Sequence, residues 1–236
     1  MTDLSFVVPA YNEAERIGGT LAAIRAAGEA SGLAWEVVVT DNASTDDTAA
    51  LARASGARVV PEPFRQIARS RNRGASEAKG RYLIFVDADT RVSPDLVREA
   101  VAALASGGAV GGGSLLKLEG AGPLLQRIVA PWNLISRKLT LAAGSFLFCL
   151  REAWEGTGGF DERYFASEEI WFSRALKRWG RARGLSFRIL EGHPAETSAR
   201  KMQGKAIFRF GLQFLVLNLC PWLLRSRRAC FLWYRR

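Results

Sequence analysis

In the N-terminal part of the chain, short apolar runs alternate with longer stretches in which apolar residues return every three or four positions. Leu4-Ser5-Phe6-Val7-Val8 reads as a strand closed by Pro9-Ala10-Tyr11-Asn12-Glu13, and a helix follows from about Glu13 to Ala30 with Ile17, Leu21 and Ile24 as its apolar stripe. Glu36-Val37-Val38-Val39-Thr40 predicts a second strand ending at Asp41. Ser44-Thr45-Asp46-Asp47 then caps a helix carrying Thr48, Leu51 and Ala52. Ala57-Arg58-Val59-Val60 is a third, short strand, Ile67 to Ala78 a helix, and Tyr82-Leu83-Ile84-Phe85-Val86 a fourth strand. That last run is apolar throughout, so it is expected at the centre of a sheet covered on both faces. Strand and helix in alternation predict an α/β fold. Its central sheet is expected to be Rossmann-like and mostly parallel, with helices on both faces and ligands bound outside the carboxyl ends of the strands. Further on, Val110-Gly111-Gly112-Gly113-Ser114 is glycine-rich without a phosphate-cradle pattern, and it predicts a strand that another part of the chain approaches closely. Glu168 to Trp179 predicts a helix packed through Ile170, Phe172, Leu176 and Trp179.

Composition narrows the class without choosing a function. A chain of 236 residues that is 48% apolar and 24% charged buries a substantial core, so disorder as the main state is excluded. The net charge of +10 asks for an acidic partner, which on charge alone is nucleic acid, anionic lipid or a phosphorylated substrate. Cys149, Cys220 and Cys230 stand at no metal-binding spacing and are expected as reduced packing residues. Met1-Thr2-Asp3 leads directly into a strand with no cleavable apolar stretch, so export is not expected.

The candidate chemistry lies at the strand ends. Glu13, Asp41 and the pair Asp87 and Asp89 each follow a predicted strand. Two carboxylates spaced i, i+2 repel unless a cation or a donor lies between them, and the simplest partner is a hard divalent cation, Mg or Mn, bound through oxygen. The alternative is that Asp87 caps the next helix and Asp89 is a solvated turn residue.

Phe6-Val7-Val8-Pro9-Ala10-Tyr11-Asn12-Glu13, Val39-Thr40-Asp41-Asn42-Ala43-Ser44-Thr45-Asp46, Arg71-Asn72-Arg73-Gly74 and Val86-Asp87-Ala88-Asp89 resemble, in that order, the signature of family 2 glycosyltransferases with the GT-A fold. Gly144-Ser145-Phe146, Gly158-Gly159-Phe160-Asp161-Glu162 and Glu168-Glu169 resemble the acceptor-side half of the same family. The resemblance implies a GT-A domain over residues 1–204, with a nucleotide-binding half to about 95 and an acceptor half after it. It also implies transfer of a sugar from a nucleoside diphosphate sugar, UDP-sugar first and GDP-sugar second, to an acceptor hydroxyl with inversion. Pro9, Tyr11, Glu13 and Asp41 would then form the nucleoside slot, Arg71 would face the base or the phosphates, Asp87 and Ala88 would lie by the ribose, and Gly144 would shape the sugar pocket. Asp89, with Asp87, would hold the metal, with His193 as a further ligand, and Arg200 and Lys201 would clamp the diphosphate.

The general base falls to Glu169, where the family more often has Asp. Glu168 as the base, or both as a structural pair with Arg174, are the alternatives. Phe210 to Leu224 is apolar but, at about 22 Å as a helix, too short for a bilayer core of about 30 Å. Residues 205–236, with Arg225, Arg227, Arg228, Arg235 and Arg236 among Phe231, Trp233 and Tyr234, are expected at an anionic membrane surface. A helix covering the domain's apolar flank, or a dimer contact, is the alternative. Leu124 to Leu141 is a second apolar stretch that suits a lipid-linked acceptor. The expected location is therefore cytoplasmic and peripheral, on the inner face of the cell membrane, with no nucleic acid as partner. Two other classes remain open, a nucleotidyltransferase and a non-catalytic basic module with a decayed site.

Overall fold

The computed structural model describes residues 2–199, 221–230 and 234. β1 (Leu4–Ala10), α1 (Ile17–Ala30), β2 (Trp35–Asp41), α2 (Thr48–Ala54), β3 (Arg58–Pro61), α3 (Ile67–Glu77) and β4 (Tyr82–Val86) follow one another as the pattern predicts. α1 starts later than expected because the Glu13 carbonyl first accepts from the Arg16 and Ile17 amides in a tight turn. Then come β5 (Thr90–Arg91), α4 (Pro94–Ala105), β6 (Ala109–Leu118), α5 (Pro123–Gln126), α6 (Ala130–Leu139), β7 (Phe146–Leu150), α7 (Arg151–Thr157), α8 (Glu168–Arg181) and β8 (Ser186–Thr197). A 3-10 turn spans Pro221–Arg225.

All of the strands join one eight-stranded sheet in the order β3-β2-β1-β4-β7-β6-β8-β5. β1 to β4 pair in parallel, whereas β7 runs antiparallel to both β4 and β6 and β5 antiparallel to β8. The second half is therefore more mixed than the alternation of strand and helix suggests. This reversal has a consequence for the site. Val86 pairs with Phe146, so the chain enters β7 at the rim where β4 ends, and the Asp87 amide donates to the Ser145 carbonyl at 3.3 Å.

β4 is central and buried along its whole length, as expected. Ile84 and Val86 pack with Ile17, Ile24 and Leu96 on one face, while Leu83 and Phe85 pack with Phe160, Phe172 and Leu176 on the other. The Phe85 ring lies 5.0 Å from Phe160 and 6.3 Å from Phe172. Phe85→Ala is expected to cost about 3–5 kcal/mol, read as a lower urea midpoint at unchanged m-value. The glycine-rich run lies in β6. A Cβ at Gly112 would stand 2.1 Å from the Arg188 carbonyl oxygen, so the run is a site of close strand approach and not a phosphate cradle.

The C-terminal residues that the structure describes lie on the domain. The Phe165 amide donates to the Leu224 carbonyl at 2.8 Å, and Leu224 and Cys230 are buried with Tyr164 and Ala166. Tyr234 meets Phe165 edge to face, and the Arg225 guanidinium sits over the Tyr164 ring. Leu223, Leu224, Ala229, Cys230 and Tyr234 thus cover the domain's flank, as in the alternative reading of the tail, while Trp222 stays 67% exposed. Arg200, Lys201 and most of the Phe210 to Leu224 run lie outside the described residues. Among the described residues no helix is long and apolar enough to cross a membrane.

Candidate active site

Parallel pairing of β1 with β2 puts Ala10 opposite Asp41, so the loops after both strands share one rim. They are laced together there. The Asn12 amide donates to Ser44 Oγ, the Glu13 amide to Thr48 Oγ1 at 2.8 Å and the Ala14 amide to Asp46 Oδ2. Asp41 Oδ1 accepts from the Ser44 amide, a short-range turn in which the carboxylate keeps its place at the rim. Pro9 pairs with Thr40 beneath it, and Tyr11 carries the Arg65 guanidinium 3.6 Å over its ring. Arg65 also donates to the Tyr234 carbonyl, so Tyr234 reaches the residue stacked on Tyr11. Asn12, Ala43 and Ser167 have positive φ values of 50°, 63° and 58°. Non-glycine residues in this region cost of order 1–3 kcal/mol each and concentrate at functional sites.

The Asp87–Thr90 turn follows β4. Its backbone is held by Thr20 Oγ1 donating to the Ala88 carbonyl and by the Ser198 amide donating to the Asp89 carbonyl. Asp89 is 7% exposed. Ala88 differs from expectation. Its side chain is buried in the core, so its part at the rim is to space the two carboxylates.

Arg71 lies on α3 at 2% exposure. Nη2 donates to Asp87 Oδ1 at 2.9 Å and to the Gly144 carbonyl at 3.1 Å, Nη1 donates to Glu168 Oε1, and the guanidinium stacks over Phe160. The guanidinium fork holds one carboxylate from each half of the site, a geometry a lysine ammonium does not reproduce. Against the cost of burial, Asp87 and Glu168 hold Arg71 charged above its ordinary range. Gly144 is glycine for the same reason, since a Cβ there would stand 2.6 Å from Arg71 Nη2.

Glu168 and Glu169 open α8 directly after Ser167. Glu168 is 3% exposed and takes Arg71 as its partner, while Arg174 stacks over Trp171. Burial pushes both carboxyls up, and Arg71 pulls each of them partway back. Glu169, half-buried and without the direct ion pair, is pushed up to about 8 by burial first and by the charge of Glu168 second. Glu169 is therefore poised near neutrality to take up or give up a proton.

His193 is not brought to the carboxylates of the turn. It is exposed in the irregular part of β8, within electrostatic reach of Asp95 at the start of α4, whose carboxyl is held below its ordinary range chiefly by Arg98. Sequence reasoning assigned no role to three amides that organise the rim. Asn42 donates to the Glu62 and Phe64 carbonyls, Gln66 to those of Glu162 and Tyr164, and Asn72 both donates to the Phe160 carbonyl and accepts from its amide. Asn42 and Asn72 sat beside Asp41 and Arg71 in the motifs, and that adjacency was the available signal.

Asp87 and Asp89 offer carboxylate oxygens only, which suits a hard divalent cation. Among the described residues no three His, Cys, Asp or Glu side chains gather into a cage. A bound diphosphate would complete such a cation's shell, as is usual for Mg.

The comparisons with known proteins agree with this arrangement. The family model described as "Glycosyl transferase family 2" matches residues 5–141. The succinoglycan biosynthesis protein ExoO of Rhizobium meliloti is 39% identical over 108 residues, which is 42% of this chain and 29% of that protein. The chain thus aligns with less than a third of the length of that relative. Among solved structures, the mannosyltransferase PcManGT from Pyrobaculum calidifontis, in complex with GDP-Man and Mn2+, superposes with a TM-score of 0.70 at 20% identity, covering 98% of this chain and 66% of that one. Glucosyl-3-phosphoglycerate synthase from Mycobacterium tuberculosis, in complex with Mn2+, UDP and glucosyl-3-phosphoglycerate, gives a TM-score of 0.63 at 22% identity over 93% of this chain and 80% of that one. At these identities the likeness establishes the fold, a GT-A architecture, and the family follows from the matched signature. With that family model matching more than half of its 236 residues, the chain belongs to glycosyl transferase family 2.

Proposed function

We propose that the protein transfers a sugar from a nucleoside diphosphate sugar to an acceptor hydroxyl by single displacement with inversion. The observation that carries this reading is the Arg71 clamp, which fixes the Asp87 turn and the Glu168-Glu169 pair on one rim. UDP-sugar is the first choice of donor and GDP-sugar the second, as the nucleotides bound by structural neighbours support. Asp87 and Asp89 would hold Mg or Mn, which supplies Lewis-acid neutralisation of the departing diphosphate when bound. Tyr11 and Asp41 orient the nucleoside. Glu169, in its ionised form, takes the proton from the acceptor hydroxyl as the oxygen attacks the anomeric carbon, and the bond from that carbon to the diphosphate oxygen breaks on the opposite side. Glu168, held by Arg71, keeps the base in place. The acceptor is read as lipid-linked at the cytoplasmic face of a membrane, a reading that the net charge of +10 supports.

The test is thermal stabilisation by UDP and by GDP, with and without Mn. One nucleotide, at a hundred times its dissociation constant, is expected to add about 2.7 kcal/mol only when metal is present, and Asp89→Ala is expected to remove the effect. If neither nucleotide stabilises the protein under any condition, the donor-site reading is lost.

A further inference from the structure

α6 is amphipathic in the reverse sense. Its inward side is fixed by polar contacts, with Asn133 accepting from the Leu116 amide and donating to the Leu116 carbonyl, both at 2.9 Å, and the buried Ser136 hydroxyl donating to the Leu141 carbonyl at 2.8 Å. Val129 at the cap packs on Leu118 and Ala199, the apolar exception at its start. Its outward side carries Leu134, Ile135 and Leu139 at 52%, 37% and 56% exposure. A surface helix ordinarily turns its apolar stripe to the core and its polar residues to water. A helix that does the opposite loses apolar burial unless something else covers it.

The charges around this face identify the cover. Arg137 and Lys138 are exposed on the same helix as the three apolar residues, Arg127 is exposed just before it, and from Gly120 to Arg151 the chain has no Asp or Glu. Among the described residues only Glu191, from β8, pairs with one of these cations, at 3.1 Å from Arg137. Apolar side chains rimmed by cations, with no carboxylate from their own segment, fit the boundary between acyl chains and anionic headgroups. We infer that α6 lies in an anionic lipid surface, with Leu134, Ile135 and Leu139 entering the acyl boundary and Arg127 and Lys138 meeting the headgroups. The inference deepens the membrane-face reading above and rests on it, moving the contact from the C-terminal tail to α6. It also ties that contact to the chemistry. Lys177 of α8 donates to the Leu139 carbonyl, the Ala142 amide donates to Ser173 Oγ of α8, and the Gly144 carbonyl receives Arg71. A hydroxyl carried on a lipid is thereby delivered beside the helix that presents Glu169.

The full chain is tested by co-sedimentation with mixed phosphatidylglycerol and phosphatidylcholine vesicles and with pure phosphatidylcholine vesicles. Nucleotide stabilisation is measured on the same preparations. The wild type is expected to bind the anionic vesicles, and a triple variant Leu134→Gln, Ile135→Gln, Leu139→Gln to bind them at least tenfold more weakly. Arg127→Gln with Lys138→Gln is expected to lose about fivefold per cation and most of the salt dependence. All of these side chains are exposed and glutamine is a good helix former, so nucleotide stabilisation should persist in the variants and show that the fold is intact. The inference is overturned if the triple variant binds as the wild type does, which places the contact elsewhere, for example in residues 200–220. It is equally overturned if the wild type ignores anionic vesicles, or if the apolar face proves to hold two copies of the chain together in solution. Should nucleotides fail to stabilise any form while vesicle binding still depends on α6, the transferase reading falls and the surface stands.

Discussion

Glu169→Gln is expected to lower kcat by about 10²–10⁴ while leaving donor binding unchanged, because the amide keeps the shape of the side chain and cannot accept the acceptor's proton. In the wild type the dependence of kcat/KM on pH should rise through about 8, where Glu169 ionises, and this ascending limb should vanish in the variant. Stability moves the other way. In the unfolded chain the carboxyl titrates near its ordinary value, so between there and about 8 the unfolded state has given up a proton that the folded state still holds. Folding stability contributed by this group therefore falls as pH rises through that window. Glu169→Gln should be more stable than the wild type at pH 9, by ~2–4 kcal/mol once the half-exposed position is allowed for. A variant within tenfold of wild-type turnover would transfer the role of base to Glu168.

Arg71→Ala is expected to cost about 3–5 kcal/mol and at least 10² in turnover, since it leaves Glu168 buried without its cation and frees the Asp87 turn. Arg71→Lys keeps the charge but lacks the fork, and should recover stability more than activity. Adding Glu168→Gln to Arg71→Ala should restore part of the stability and none of the turnover, because it removes the uncompensated charge without rebuilding the link to Asp87. Urea melts and single-turnover rates on the four forms of this cycle give the coupling directly. Strictly additive stability losses would mean that Arg71 and Glu168 do not act as a pair.

The parts of the molecule legible in the sequence were those with a one-dimensional signature. β4 announces itself because a strand covered on both faces is apolar without alternation, and the carboxylates that follow it stand out against that run. Arg71 was legible as a site residue from its motif, but its partners were not. What buries the arginine is Gly144 and Glu168, far along the chain, and only the antiparallel entry into β7 reveals that meeting. α6 was read as a uniformly apolar stretch. Its inside-out orientation depends on Asn133 and Ser136 finding backbone partners at Leu116 and Leu141, which no periodicity records. His193 failed as a ligand for a related reason, since the excursion in β8 between the residues that pair with Ser114 and Leu116 carries it toward α4.

The Arg71 clamp also governs whether the halves of this protein can be exchanged. Arg71 and Asp87 belong to residues 1–95, whereas Gly144 and Glu168 belong to the segment after them. A chimera that grafts the first segment onto the acceptor half of a relative inherits a buried cation, and it folds soundly only where the incoming half brings a carboxylate at the position of Glu168 and no side chain at that of Gly144. Compatibility between the two segments is thus written in two residues, one a carboxylate and the other a position that must stay bare.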